Sequence, residues 1–258
     1  RLFLHWLTRM EGMGAVTVKR IGAFAGSYRN AYYIEGMELQ KAGILKTEES
    51  CIRYDAWKKE FYPMEEEYYC LAEKGIRFIT HLDPDYPSRL LSLYDFPAAL
   101  YVKGDLPKED EPAAAIIGAR ECSAYGRQTA EHMAKELAEA GVTIISGLAR
   151  GIDGPDIKAL WMEVENLCSS GLRRKYLLSQ IQLQPVYSNW GTGRSYIGVS
   201  PGYPASGPQF PYEKPNHQRL SDAVLVIEAR KKSGSLITAQ TGLDQGKDIY
   251  AVPGRITD

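Results

Sequence analysis

From Ala113 onward the chain alternates short, uninterrupted apolar runs with segments of helical period. Ala113 to Ile117 ends at Gly118, and Ala130, Met133, Ala134 and Leu137 then recur at helical spacing up to Gly141. Val142-Thr143-Ile144-Ile145 ends at Ser146-Gly147. Ala223 to Ile227 follows far downstream, and beyond a helix-like stretch at 235–245 comes Ile249-Tyr250-Ala251-Val252, closed by Pro253-Gly254. A strand with one wet face alternates polar and apolar residues, so unbroken apolar runs mean that both faces are covered. Parallel strands joined by crossover helices do this. The expected fold class is α/β, a Rossmann-like parallel sheet preceded by a small N-terminal helical domain.

The rest of the chain divides around that pattern. Residues 1–75 read as the helical domain: Leu2, Leu4, Trp6 and Leu7 open an apolar stripe, Gly12-Met13-Gly14 breaks it, and a second helix starts near Ala15. A Gly-x-Gly turn between short helices is the device of a helix-hairpin-helix, although most such turns are only turns. Tyr54 to Tyr69 reads as a solvated helix interrupted by Pro63. Residues 76–112, punctuated by Pro84, Pro87, Pro97 and Pro107, read as a connector with short strands near Arg77–Thr80 and Ala99–Val102. Residues 113–258 form the Rossmann-like domain.

Composition excludes several classes. Lys and Arg total 31 against 32 Asp and Glu, a net charge of −1, so any nucleic-acid site must be a local patch. No apolar stretch approaches a membrane span. Cys51, Cys70, Cys122 and Cys168 are far apart with no CxxC pair, which argues against zinc or a disulfide framework and for a reducing cytoplasm. The chain opens on Arg1 without a signal peptide and stops at Thr257-Asp258, so a fragment of a longer protein is expected.

In open α/β sheets ligands bind beyond the carboxyl ends of the strands. Three turns stand there. In the first, Gly118 permits close approach, Arg120 offers a bidentate fork and Ser123 can cap the next helix. The second contains Gly147 and Arg150. The third runs from Arg230 through Lys231, Lys232, Ser233, Gly234 and Ser235, so that small and hydroxyl residues open a helix right after three cations. Each alone is commonplace; converging on one edge they make an anion site. The first turn lacks the G-x-G-x-x-G fingerprint and no acid ends the second strand, so no redox cofactor is expected. His5, His81, His132 and His217 are scattered, Asp153 and Glu121 are taken as the carboxylates of these turns, and Cys122 is read as structural. No catalytic constellation and no metal site emerge.

The segments IIGARECSAYG, SGLARGIDG and SDAVLVIEARKKSGSLITAQTGLDQGKDIYAVPG, with GIRFITHLDPDYPSRL and FPAALYVKGDL upstream, resemble the DNA-processing protein A (DprA/Smf) family. The likeness covers about 75–154 and 220–255. It implies a non-enzymatic protein that binds single-stranded DNA and helps load a RecA-type recombinase in natural transformation. The partners it implies are single-stranded DNA, the recombinase and a second copy of the chain, with Arg120 and Arg150 on phosphates and the Ser233–Ser235 helix start as a cradle.

Residues 155–219 break the likeness. Trp161-Met162-Glu163 can only be encoded TGG-ATG-GAR, and reading one base earlier turns Asp156–Glu165 into GHKGALDGGG, a family-like text. Reading from the second base, Tyr212–Leu220 permits MRNRIISGL and Tyr196–Tyr203 permits ISEYPPG. Single-base slips near Pro155, Asn166 and Leu220 would account for the whole segment, whose written frame offers only the charged Val164–Ser169 as a third strand. Under this reading the family's Arg-Asn-Arg motif is absent, and an inactive product of a frameshifted gene is one alternative. The other is a nucleotide-processing enzyme resembling nucleoside-monophosphate phosphoribohydrolases, against which Ser233-Gly234-Ser235 stands where that family has Pro-Gly-Gly-x-Gly-Thr.

Overall fold

The computed structural model describes residues 1–103, 106, 108–119, 122–146, 176–179, 194–198, 217–230 and 233–254. The chain forms two compact units, one built on Arg1–Lys103 and the other on most of the remainder.

In the first unit, helix α1 (Leu2–Thr8) is the hub. Leu4, Trp6 and Leu7 are buried with Val18 and Ile21 of α2 (Ala15–Ala25), Leu39 of α4 (Gly36–Lys41) and Tyr54 of α5 (Glu48–Trp57). Two indoles lock the packing reciprocally: Trp6 Nε1 donates to the Trp57 carbonyl at 3.0 Å and Trp57 Nε1 to the Trp6 carbonyl at 2.9 Å. Tyr54 belongs to this core rather than to a solvated helix; it is fully buried and its hydroxyl donates to the Ala31 carbonyl. Nor does Pro63 interrupt a helix. It is the third residue of α6 (Phe61–Glu73), in the first turn, where a missing N–H breaks no helical bond. Strands β1 (Ile76–Thr80) and β2 (Ala99–Lys103) pair antiparallel, with α3 (Tyr28–Tyr33) and α7 (Ser88–Leu91) completing the unit. Ile76, Phe78, Ala99 and Tyr101 enter the same core as α1, so the Pro-punctuated stretch packs with the helices.

The second unit is the parallel sheet. Its strands are β3 (Ala113–Ile117), β4 (Thr143–Ser146), β5 (Tyr176–Ser179), β6 (Arg194–Gly198), β7 (Ala223–Val226) and β8 (Asp248–Ala251), in the order β6-β5-β4-β3-β7-β8. Every neighbouring pair is parallel. All five residues of β3 are buried, as the unbroken apolar run requires. Helix α8 (Ala124–Glu139) turns Ala130, Ala134 and Ala138, at i, i+4 and i+8, onto Ile116, Ile144 and Ile227; methyl side chains let its backbone lie close to the sheet. Gly141 and Gly246, at φ 85° and 75°, make the left-handed exits from α8 and from the later helix α10 (Gly234–Asp244) into their strands. At the opposite end of β3, Asp222 exchanges hydrogen bonds with the Ala113 backbone and sets the β3–β7 register. A short helix α9 (His217–Leu220) leads into β7.

Two strands were not legible. β5 lies beside β4 in the slot expected of Val164–Ser169, and β6 lies beside β5; residues 164–169 fall outside the described residues.

Candidate functional site

The strand order reverses between β3 and β7. From β3 the chain proceeds outward through β4, β5 and β6, then returns to the other side of β3 for β7 and β8. Helices that leave two neighbouring strands in opposite directions open a crevice between their starts, and this switch point is where open α/β sheets hold ligands. The crevice here lies between the turn after β3, which enters α8, and the turn after β7, which enters α10. Because β3, β4 and β7 are adjacent and parallel, their carboxyl ends share one edge.

The two helix starts differ. At α8, Ser123 is the N-cap and its Oγ accepts from the Gly126 N–H at 3.0 Å. The same Ser123 donates both its N–H and its hydroxyl to Glu228 Oε2, each at 3.0 Å. Glu228 stands just beyond β7, and its own carbonyl accepts from the Ala119 N–H at 2.7 Å. A carboxylate of the protein therefore occupies the positive end of α8, where helix dipole and charge-assisted hydrogen bonds favour an anion. Gly126 makes this possible: a Cβ there would lie 2.1 Å from Glu228 Oε2.

At α10, Ser233 holds extended N-cap geometry but caps nothing with its side chain. Its hydroxyl lies 2.9 Å from Ser235 Oγ, and the Leu236 N–H is taken by the Ser233 carbonyl at 3.2 Å. A Cβ on Gly234 would meet nothing within 4 Å, so this turn is open to approach. The result is a helix start with two hydroxyls and, among the described residues, no carboxylate bonded to it, beside one that is already filled. Tyr125, on the first turn of α8, reaches the Pro253 carbonyl beyond β8 at 3.4 Å and ties a further strand end to the same edge.

Of the residues singled out from sequence, Gly118 directly follows β3, Ser123 is a cap engaged with Glu228, and Ser233, Gly234 and Ser235 form the open start of α10. Arg120, Gly147, Arg150, Lys231 and Lys232 lie outside the described residues, as does Asp153. Cys122 packs against the Ile116–Ala130 cluster. The sequence reading overlooked Glu228 by counting only Asp153 and Glu121 as carboxylates of these turns. Two signals could have found it: Glu228 is the first polar residue after the apolar run Ala223–Ile227, and Gly126, in the first turn of a helix, forfeits helix propensity unless something must come close. Among the described residues no cluster of His, Cys, Asp and Glu could hold a metal ion, and no helix is long and apolar enough to cross a membrane.

The chain is 35% identical over 209 residues to the DNA processing protein DprA of Bacillus subtilis, covering 78% of this chain and 68% of that protein. It is 34% identical over 193 residues to protein Smf of Escherichia coli, covering 72% and 51%. It thus spans between half and about two thirds of the length of these relatives. Among solved structures, DprA from Streptococcus pneumoniae superposes with a TM-score of 0.70 at 22% identity, covering 100% of this chain and 88% of that one. A DNA processing protein A from Helicobacter pylori, described for its single-stranded DNA binding mode, superposes with a TM-score of 0.54 at 23% identity, covering 72% and 85%. These likenesses carry the fold, and the family model for DNA recombination-mediator protein A matches residues 77–258, so the chain belongs to the DNA recombination-mediator protein A (DprA/Smf) family.

Proposed function

We propose that this protein binds single-stranded DNA at the crevice between β3 and β7 and acts on it as a non-enzymatic mediator that helps load a RecA-type recombinase. The observation that carries the reading is the open start of α10, Ser233–Ser235, at the point where the strand order reverses, in a member of this family. Phosphates would be received by the N–H groups and hydroxyls of that turn, with Arg120, Arg150, Lys231 and Lys232 supplying charge. A backbone-directed site of this kind is sequence-tolerant.

We further propose that the protein works as a homodimer in the cytoplasm. β8 ends the parallel sheet, and Leu236, Ile237 and Leu243 of α10 with Tyr250 of β8 expose large apolar side chains there. These side chains are available to a second copy.

The test is fluorescence anisotropy of a labelled oligo-dT across a salt series, with duplex DNA and nucleoside monophosphates alongside. Preferential binding of the single strand is expected, and log affinity should fall linearly with log salt. Arg120→Ala or Arg150→Ala should flatten that slope by about 0.7 per lost phosphate contact. Stimulation of recombinase assembly on the same oligonucleotide tests the mediator role. No single-strand binding would overturn the reading, and turnover of a nucleoside monophosphate would favour the enzyme class.

A further inference from the structure

We infer that Glu228 is a positioning residue for nucleic-acid binding, holding Ala119 and Ser123, which flank Arg120 in the sequence, to the carboxyl end of β7. The inference rests on the reading that Arg120 contacts a phosphate.

The clamp is built from one residue acting twice. The Glu228 carbonyl takes the Ala119 N–H at 2.7 Å, and Glu228 Oε2 takes both the N–H and the hydroxyl of Ser123 at 3.0 Å. Only Arg120, Glu121 and Cys122 lie between the two anchors. Holding the chain on both sides of a guanidinium reduces the freedom it must give up when it meets a phosphate. The same geometry explains how an acid is tolerated beside a polyanion site, since its charge faces the start of the 16-residue helix α8. The carboxylate reaches its place only because residue 126 has no Cβ.

Gly126 therefore provides the probe. In Gly126→Ala the added Cβ would meet Glu228 Oε2 at 2.1 Å, the far end of a flexible side chain, so the carboxylate is evicted while the backbone can stay. Alanine also raises the helix propensity of α8, so a merely structural role for Glu228 would leave binding intact in a protein that melts no lower.

The experiment measures oligo-dT affinity and salt slope for the full chain and for Arg120→Ala, Gly126→Ala, Glu228→Gln and the Arg120→Ala/Gly126→Ala double variant, with thermal melts of each. Gly126→Ala should weaken binding by about as much as Arg120→Ala, on the order of tenfold, and lower the salt slope by about 0.7. The double variant should be no weaker than Arg120→Ala alone, because the clamp acts through that side chain. Glu228→Gln keeps an acceptor for Ser123 and should retain most of the affinity. Wild-type binding by Gly126→Ala, or penalties that simply add in the double variant, would overturn the clamp alone. An Arg120→Ala variant with unchanged affinity and slope would overturn the phosphate reading, and the clamp with it.

Discussion

Acidification should destabilise the N-terminal unit through a single buried imidazole. His5 on α1 is fully buried, and burial, helped by the charge of Arg9, pushes its pKa down to about 3. Its surroundings offer the proton nothing. The Tyr101 hydroxyl lies 2.7 Å from Nδ1, and Tyr68, Phe78 and Tyr101 enclose the ring. The facing carboxylate, Glu67, lies 4.0 Å from Nε2 and is already paired with Arg9 at 3.0 Å. The unfolded chain takes up a proton near the ordinary value of about 6.5, whereas the folded unit refuses it down to about 3. Stability from this group is therefore complete above pH 6.5 and is lost as pH falls, at about 1.4 kcal/mol per pH unit, until the folded form protonates too. At pH 5 the loss is about 2 kcal/mol, a sizeable part of the 5–15 kcal/mol typical of a domain. Urea unfolding followed through Trp6 and Trp57 fluorescence should show the midpoint falling by on the order of 1 M between pH 7 and pH 5. His5→Asn, though less stable overall, should show a much smaller fall. NMR should find the native His5 ring failing to titrate across the same range. Equal pH slopes for the wild type and His5→Asn, or a native His5 that titrates near 6.5, would rule out this role for the buried imidazole.

Gly36→Ala should destabilise the same unit by about 1–3 kcal/mol. Its Cβ would fall 2.6 Å from the Cys51 carbonyl oxygen and 2.8 Å from Cys51 Cα, both backbone, so α4 and α5 must part; an unchanged melting temperature would contradict this. Tyr54→Phe removes the buried hydroxyl that serves the Ala31 carbonyl and should cost about 1 kcal/mol, read from the same melts. Ile237→Glu puts a charge on the exposed apolar face of α10 and should shift the protein to monomer in light scattering, whereas an unaltered dimer would move the interface elsewhere. Replacing 155–219 by its frame-restored text should raise both the melting temperature and oligo-dT affinity. Genomic DNA that encodes the segment without slips would dispose of the frame account.

The parallel sheet was legible because its period is local. Ala113–Ile117, Val142–Ile145, Ala223–Ile227 and Ile249–Val252 are short, unbroken and apolar, and each coincides with a strand to within a residue or two. Ser123 read correctly as a cap because an N-cap is decided by its next three residues. Tyr54 and Pro63 were misread for the opposite reason. A tyrosine in a charged stretch is buried only when helices remote in sequence close over it, and a proline is harmless or disruptive according to where its helix begins. β5 and β6 had no periodicity to announce them.

The site divides along the same line. Local composition places glycines and hydroxyls directly after apolar strands, which suffices to predict helix starts and backbone donors at the strand ends. That the strand order reverses between β3 and β7 came from the folded chain alone, since strand order depends on pairing between segments about a hundred residues apart. That pairing also brings Glu228 to Ser123 and Gly126, filling one helix start and leaving the other open. A hydrogen bond spanning 105 residues has no local signature, because neither partner's own neighbours reveal which distant carboxylate will satisfy it.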